Sequence, residues 1–229
     1  MTILSEGYVI KLTGSLFEKG SSQVLVNFAN ILRNYADRYR FAVVCGGGNT
    51  LRYWLDVLRS KSSVSEYSLD LLGIGFTRLN ARILINLLYP NVYGQIPESI
   101  ESALEAIYTT NKIVVLGGLS PGFSTNAVAS FISRETGFSL INVTRAGGVY
   151  NKDPSQYKDS KKLKEIHIDD LIKILSREAE AAGNYPLFDM TSLNIIKKYR
   201  IPTYVISTNI SDLEAILNGG SAGTRILFT

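Results

Sequence analysis

At 229 residues, 45% hydrophobic and 19% charged, the chain can bury one sizeable core without disulfides or a structural metal, and it needs no second domain. The net charge of +4 is scattered, and the densest basic run (Lys158, Lys161, Lys162, Lys164) is broken by Asp159 and Glu165, so it reads as a solvated loop and not as a nucleic-acid footprint. The single Cys45 excludes an internal disulfide, no charged-then-apolar leader is visible, and no 18 consecutive apolar residues could cross a bilayer; the expectation is a cytoplasmic protein.

Strands and helices alternate along the chain. Tyr8 to Thr13 is a short β-rich run closed by Gly14. Ser21 or Ser22 then caps a helix whose apolar positions Leu25, Phe28, Ile31, Leu32 and Tyr35 follow helical spacing. Arg40 to Cys45 is nearly all apolar, the pattern of a strand buried on both faces, with Cys45 as an inert core thiol. It runs into Gly46-Gly47-Gly48, and Asn49 to Ser60 follows as helix. A long helical stretch from Ser65 to Leu88 ends at Pro90. Ile113 to Leu116 is a second apolar strand, stopped by Gly117-Gly118. Ser124 to Thr136 has a helical pattern and Phe138 to Thr144 a strand pattern, with Gly147-Gly148 beyond it. Ile168 to Ser176 and Thr191 to Tyr199 read as helices, Thr203 to Ser207 as a strand, Ser211 to Asn218 as a helix, and Arg225 to Phe228 as a final strand. Such alternation, with continuous apolar strands, implies one domain over residues 1–229: a three-layer α/β/α sandwich around a mostly parallel sheet.

In open parallel sheets ligands collect at the C-terminal ends of the strands. The glycines at positions 14, 46–48, 117–118 and 147–148 each follow a predicted strand, so four turns that let backbone N–H groups approach a phosphate share one edge. No G-x-x-x-x-G-K-[ST] occurs and no G-x-G-x-x-G follows the first strand, which argues against P-loop and dinucleotide sites. His167 has no acidic or cysteine cluster at ligand spacing and reads as a surface or loop histidine. Lys11 ends the first strand just before Thr13-Gly14-Ser15, and Arg52 lies one turn into the helix after Gly48; both can reach a phosphate pocket.

With these residues in view, the chain resembles the amino acid kinase superfamily, and within it the archaeal type of uridylate kinase. The landmarks are Lys11-Leu12-Thr13-Gly14-Ser15, Gly46 through Arg52, Leu69-Asp70-Leu71-Leu72-Gly73-Ile74, Thr77-Arg78-Leu79-Asn80-Ala81, Gly117 through Thr125, and Gly148-Val149-Tyr150-Asn151-Lys152-Asp153-Pro154. The resemblance implies transfer of the ATP γ-phosphate to UMP, giving UDP for pyrimidine nucleotide biosynthesis. It also implies two subsites. Lys11, Gly14, Ser15, Gly48 and Arg52 would hold the ATP phosphates, with Thr144, Tyr150 and Asp153 on the adenosine side. Gly47 and Asp70 would contact UMP, Asp70 through ribose hydroxyls. The segment Gly118, Leu119, Ser120, Pro121, Gly122, Phe123, Ser124 and Thr125 would wrap the uracil and its phosphate. Lys11, Arg52 and Arg145 would carry the catalysis, Arg145 as a second cation at the transferring group. Mg²⁺ would enter with ATP on phosphate oxygens and water. The resemblance also implies a homo-oligomer, a hexamer built as a trimer of dimers; Leu71, Leu72, Leu79, Ile83, Leu84, Leu87 and Leu88 of the long helix would suit an interface or the core, and the core is the expected place.

Two positions depart from the family pattern. Asn126 stands where many relatives carry an aspartate, and Gly147 replaces the aspartate before a glycine, keeping the tight turn but losing a side-chain acceptor. Asp189 matches a family aspartate ahead of a helix, and N-capping is its expected role. The departures keep an alternative open: a nucleotide-binding paralogue that senses UMP or ATP without transfer. Another family phosphotransferase acting on isopentenyl phosphate, carbamate, acetylglutamate or aspartate is the further alternative.

Overall fold

A computed structural model of the chain describes residues 6–180 and 187–228, and the side chains of residues 177–180 are left aside. In chain order the elements are β1 (Gly7–Leu12), a 3-10 turn (Gly14–Phe17), α1 (Ser22–Tyr35), β2 (Arg40–Cys45), α2 (Gly48–Lys61), α3 (Glu66–Leu88), α4 (Ile100–Thr109) and β3 (Val114–Leu116). They continue with α5 (Thr125–Thr136), β4 (Ser139–Val143), β5 (Val149–Tyr150), β6 (Lys162–Leu163), β7 (Glu165–His167), α6 (Ile168–Glu180), α7 (Met190–Tyr199), β8 (Thr203–Ile206), α8 (Ile210–Leu217) and β9 (Thr224–Leu227).

The main sheet runs β3-β2-β1-β4-β8-β9-β7. Its first five strands are mutually parallel; β9 pairs antiparallel with β8, and β7 runs parallel to β9. Side chains on a strand alternate between faces, so neighbours along β1 and β2 feed two separate cores. Val9, Ala42 and Val44 point to the face covered by α4, α5, α6 and α7, where Ile107, Ile132, Leu171 and Leu193 meet them. Ile10, Leu12, Val43 and Cys45 point to the opposite face, against Phe28 of α1, Leu84 and Leu88 of α3 and Leu217 of α8. The three-layer sandwich expected from the pattern is therefore the architecture found. Each fully buried leucine or isoleucine in these layers contributes about 1.5–3 kcal/mol.

Several boundaries have visible chemical causes. Ser65, Ser124, Asp189 and Asn209 each accept a backbone N–H at the start of α3, α5, α7 and α8. Ser21 precedes α1 as expected, but its hydroxyl makes no capping hydrogen bond. The helix α4 was not anticipated, although Ser99 and Ser102 form a reciprocal capping box at its start and Ala103, Ala106 and Ile107 keep helical spacing on its buried face. The lysine run is not wholly loop. Lys162 lies in β6, paired with Tyr150 of β5, and its Nζ donates to the Gly147 carbonyl at 3.4 Å. His167 likewise is not a surface group: it closes β7 half-buried, and its Nδ1 accepts the Asp169 N–H at 3.3 Å.

Among the described residues α3 is the one helix both long and apolar enough to cross a bilayer by length and composition. Length and hydropathy would suit a bilayer, but Asp70, Arg78 and Arg82 interrupt it and one face (Leu69, Ala81, Leu84, Leu88) is buried in the fold. On its other face Leu71, Leu79 and Ile83 remain 47%, 59% and 40% exposed, so these three are surface residues of the single chain and not core.

Candidate active site

The strands β3, β2, β1 and β4 are adjacent and parallel, so their C-terminal ends and the four glycine turns lie along one edge. The turns after β1 and β2 touch. A Cβ on Gly14 would lie 2.0 Å from the Gly48 nitrogen, so only glycine permits this approach. Above them opens a cavity of about 530 Å³ lined by Lys11, Gly14, Ser15, Gly48, Arg52, Thr144, Arg145 and Asp153. Eight of the nine residues expected around ATP thus meet in one space. The ninth, Tyr150, does not line it; it lies half-buried in β5 and packs against the hydrophobic core.

The cavity is cationic on its phosphate side. Lys11 sits between Val44 and Asn142 in the parallel register. Burial, and then the positive charge of Arg52, lower its pKa from 10.5 to about 8, while Asp189 partly offsets them. Arg52 and Arg145 approach the same space from α2 and from the turn after β4. At the other end Asp153 is 1% exposed. One of its oxygens accepts the Ser155 N–H (2.8 Å) and hydroxyl (2.7 Å). The other, Oδ2, is buried without a hydrogen-bond partner among the described residues, an open acceptor suited to a hydroxyl or amino group of a ligand.

A second cavity, about 200 Å³, adjoins the first and is lined by Gly47, Asp70, Gly118, Ser120, Phe123, Ser124 and Thr125. Gly47 and Thr125 line both spaces, so the two meet there. Three residues expected at the acceptor subsite do not line it. Leu119 turns back onto the hydrophobic core, and Pro121 and Gly122 form the outer bend of the loop. Asp70 is engaged in holding that bend, its Oδ2 accepting the Gly122 N–H at 2.7 Å. Leu51, Leu55, Leu69, Ile74 and Thr77 also line the second cavity. Sequence reasoning missed them because α2 and α3 roof the site only after folding. It missed Glu18 too, whose carboxylate accepts the backbone N–H and the side-chain amide of Asn49 at the start of α2.

Two adjoining cavities at a parallel-sheet edge, one of them cationic, call for comparison with known proteins. The profile of the amino acid kinase family matches residues 7–207. The chain belongs to the amino acid kinase family. It is 33% identical over 222 residues to a protein named uridylate kinase from Methanobrevibacter smithii, covering 96% of this chain and 98% of that one. It is 36% identical over 220 residues to another of that name from Pyrobaculum aerophilum, covering 95% and 98%. Among solved structures, the uridylate kinase from Archaeoglobus fulgidus superposes with a TM-score of 0.85 at 29% identity, covering 96% of this chain and all of that one.

In this amino acid kinase the two departures from the family pattern have local accommodations. Asn126 donates its amide to the Leu187 carbonyl at 3.1 Å, a bond that a carboxylate could not make. Asn142 donates to the same carbonyl at 2.8 Å. Gly147 has φ +73° and its N–H is accepted by Thr144 Oγ1 at 3.1 Å, so the tight turn expected of a glycine is present. Asp189 caps α7 through the Ser192 N–H at 3.0 Å, as expected, and also accepts the Ser124 hydroxyl, which ties the starts of α5 and α7 together. Cys45 is fully buried, and burial pushes its thiol pKa far up.

Proposed function

We propose that this amino acid kinase is a uridylate kinase that transfers the γ-phosphoryl group of ATP to UMP. One observation carries the reading: a cationic cavity and a smaller neighbour meet at Gly47 and Thr125, in a chain that aligns nearly end to end with proteins named uridylate kinase. ATP fits the larger cavity, with its phosphates toward Lys11, Arg52 and Arg145 and its adenosine toward Thr144 and the open Asp153 oxygen. UMP fits the smaller one, beside Asp70 and Phe123, with its phosphate at the start of α5 where Thr125 reaches both spaces.

In the transfer a UMP phosphate oxygen forms a bond to the γ-phosphorus while the bond to the β–γ bridging oxygen breaks, and ADP leaves. The acceptor phosphate is already ionised near neutral pH, so no strong base is required. The work of the chain is positioning and charge: Lys11, Arg52 and Arg145 stabilise negative charge as it shifts among the oxygens. A cationic lining with no group of three acidic or histidine side chains among the described residues fits a Mg²⁺ carried on the nucleotide. That ion would supply charge neutralisation on the phosphates. The exposed Leu71, Leu79 and Ile83 of α3 support assembly of copies of the chain, and a cytoplasmic setting suits the substrates.

A coupled ADP-release assay with ATP and Mg²⁺ against UMP, CMP, dTMP, carbamate, acetylglutamate and isopentenyl phosphate tests the proposal. Turnover strongly favouring UMP is expected. No turnover with any acceptor, in folded protein that still binds UMP, would refute it.

A further inference from the structure

Of the segment Thr77-Arg78-Leu79-Asn80 only Thr77 lines a cavity of the site above, yet three of its side chains reach the two loops that form it. Thr77, 5% exposed, accepts the Gly118 N–H at 2.8 Å while donating to the Ile74 carbonyl at 2.8 Å. Arg78 Nε donates to the Gly118 carbonyl at 3.3 Å, and its Nη1 pairs with Glu98 at 2.9 Å. Both polar groups of Gly118 are therefore held by consecutive residues of one helix. Asn80, 8% exposed, donates its amide to the Gly46 carbonyl at 2.7 Å and lies 3.5 Å from the Gly47 carbonyl.

The consequence follows from peptide geometry. A trans peptide is planar, with its C=O and the next N–H pointing in opposite directions. Holding the Gly46 carbonyl against Asn80 aims the Gly47 N–H away from α3, and Gly47 is where the two cavities meet. Without that donor the two glycine peptides could rotate cheaply, because glycine resists little. Preorganised N–H dipoles need no reorientation when charge moves in the transition state, which is what makes them effective.

We infer that one turn of α3 is a brace that sets both reaction loops: Thr77 and Arg78 are positioning residues for the acceptor loop, and Asn80 is a positioning residue for the glycine turn between the cavities. This inference rests on the kinase reading above. It also explains why α3, which supplies Asp70 to the outer bend of the same loop, touches that loop at both ends.

The test compares kcat, both KM values and the dissociation constants of UMP and ATP by calorimetry, for wild type, Thr77→Val, Thr77→Ser and Asn80→Asp. Thr77→Val keeps the side-chain shape and removes the oxygen; UMP KM and Kd should rise about tenfold while ATP constants stay within about twofold. Thr77→Ser restores the oxygen and should restore UMP binding. Asn80→Asp is isosteric but sets a carboxylate against two carbonyls; kcat should fall about tenfold or more, with a smaller change in UMP KM. A purely structural role would lower thermal stability and active fraction without this split. UMP constants unchanged in folded Thr77→Val, no rescue by Thr77→Ser, or parallel shifts for both substrates would overturn the inference. If Asn80→Asp does not fold, the Thr77 pair decides. Wild type that neither binds nor turns over UMP would remove the kinase reading and this inference together, whereas an active wild type matched by Thr77→Val removes this inference alone.

Discussion

Raising the pH should weaken ATP binding through Lys11. Its native pKa is about 8, lowered from 10.5 first by burial and then by Arg52. Bound triphosphate would favour the charged lysine and return its pKa toward the ordinary value. Binding then takes up a proton wherever the free enzyme has lost it. For a pKa of about 8 this is roughly half a proton at pH 8 and about nine-tenths at pH 9, and ATP affinity should fall about tenfold between pH 7 and pH 9. Calorimetry of Mg–ATP binding in two buffers of different ionisation enthalpy counts that proton directly. Lys11→Met should bind weakly and show neither the uptake nor the slope. Stability has the opposite sign. Between about pH 8 and 10.5 the unfolded chain holds the Lys11 proton and the native one does not, so this residue's contribution to ΔG of unfolding rises across the window. Zero proton uptake at pH 9, a flat affinity from pH 7 to 9, or the same slope in Lys11→Met would refute the reasoning.

Three further outcomes are expected. Arg145→Ala should lower kcat about tenfold or more with little change in UMP KM, since the residue lines the larger cavity and is proposed to act on the transferring group; an unchanged kcat in steady-state assays would exclude that role. Glu18→Ala removes the carboxylate that accepts two Asn49 donors at the start of α2, and should cost about 1 kcal/mol, seen as a fall in Tm of about 2–4 °C. Cys45 should resist a thiol reagent in the native protein and react fully once the chain is unfolded, because the thiol is buried and held protonated; rapid native labelling would contradict the structure.

Most of the fold was legible from local signals. The continuous apolar runs at β1, β2 and β4 could be buried only on both faces, and the glycines after them mark the edge where the cavities lie. Among the elements of two or three residues, β3 was legible as an apolar run, and β5, β6 and β7 were not. The pairing of β5 with β6 and the place of β7 beside β9 rest on partners far along the chain, which no short-range periodicity records. The helix α4 is a different case: its capping serines and helical spacing were present and went unread.

The site divides along the same line. Lys11, the glycine turns and Arg52 were singled out from residue type and position after a strand, since phosphate recognition needs cations and exposed N–H groups there, whereas Thr144 came only from the family resemblance. The exclusion of Leu119 and Tyr150 from the cavities could not be foreseen, because which way a loop side chain turns depends on the core beneath it. The brace formed by Thr77, Arg78 and Asn80 was visible only as a string of residues. By itself the sequence determined the layer order, the sheet edge where the cavities open and the charge that edge presents, since these follow from periodicity, glycine and residue chemistry. Only the tertiary structure decided that α3 packs against both loops, because contacts between segments about 40 residues apart are settled when the layers pack and not by the neighbours of each residue.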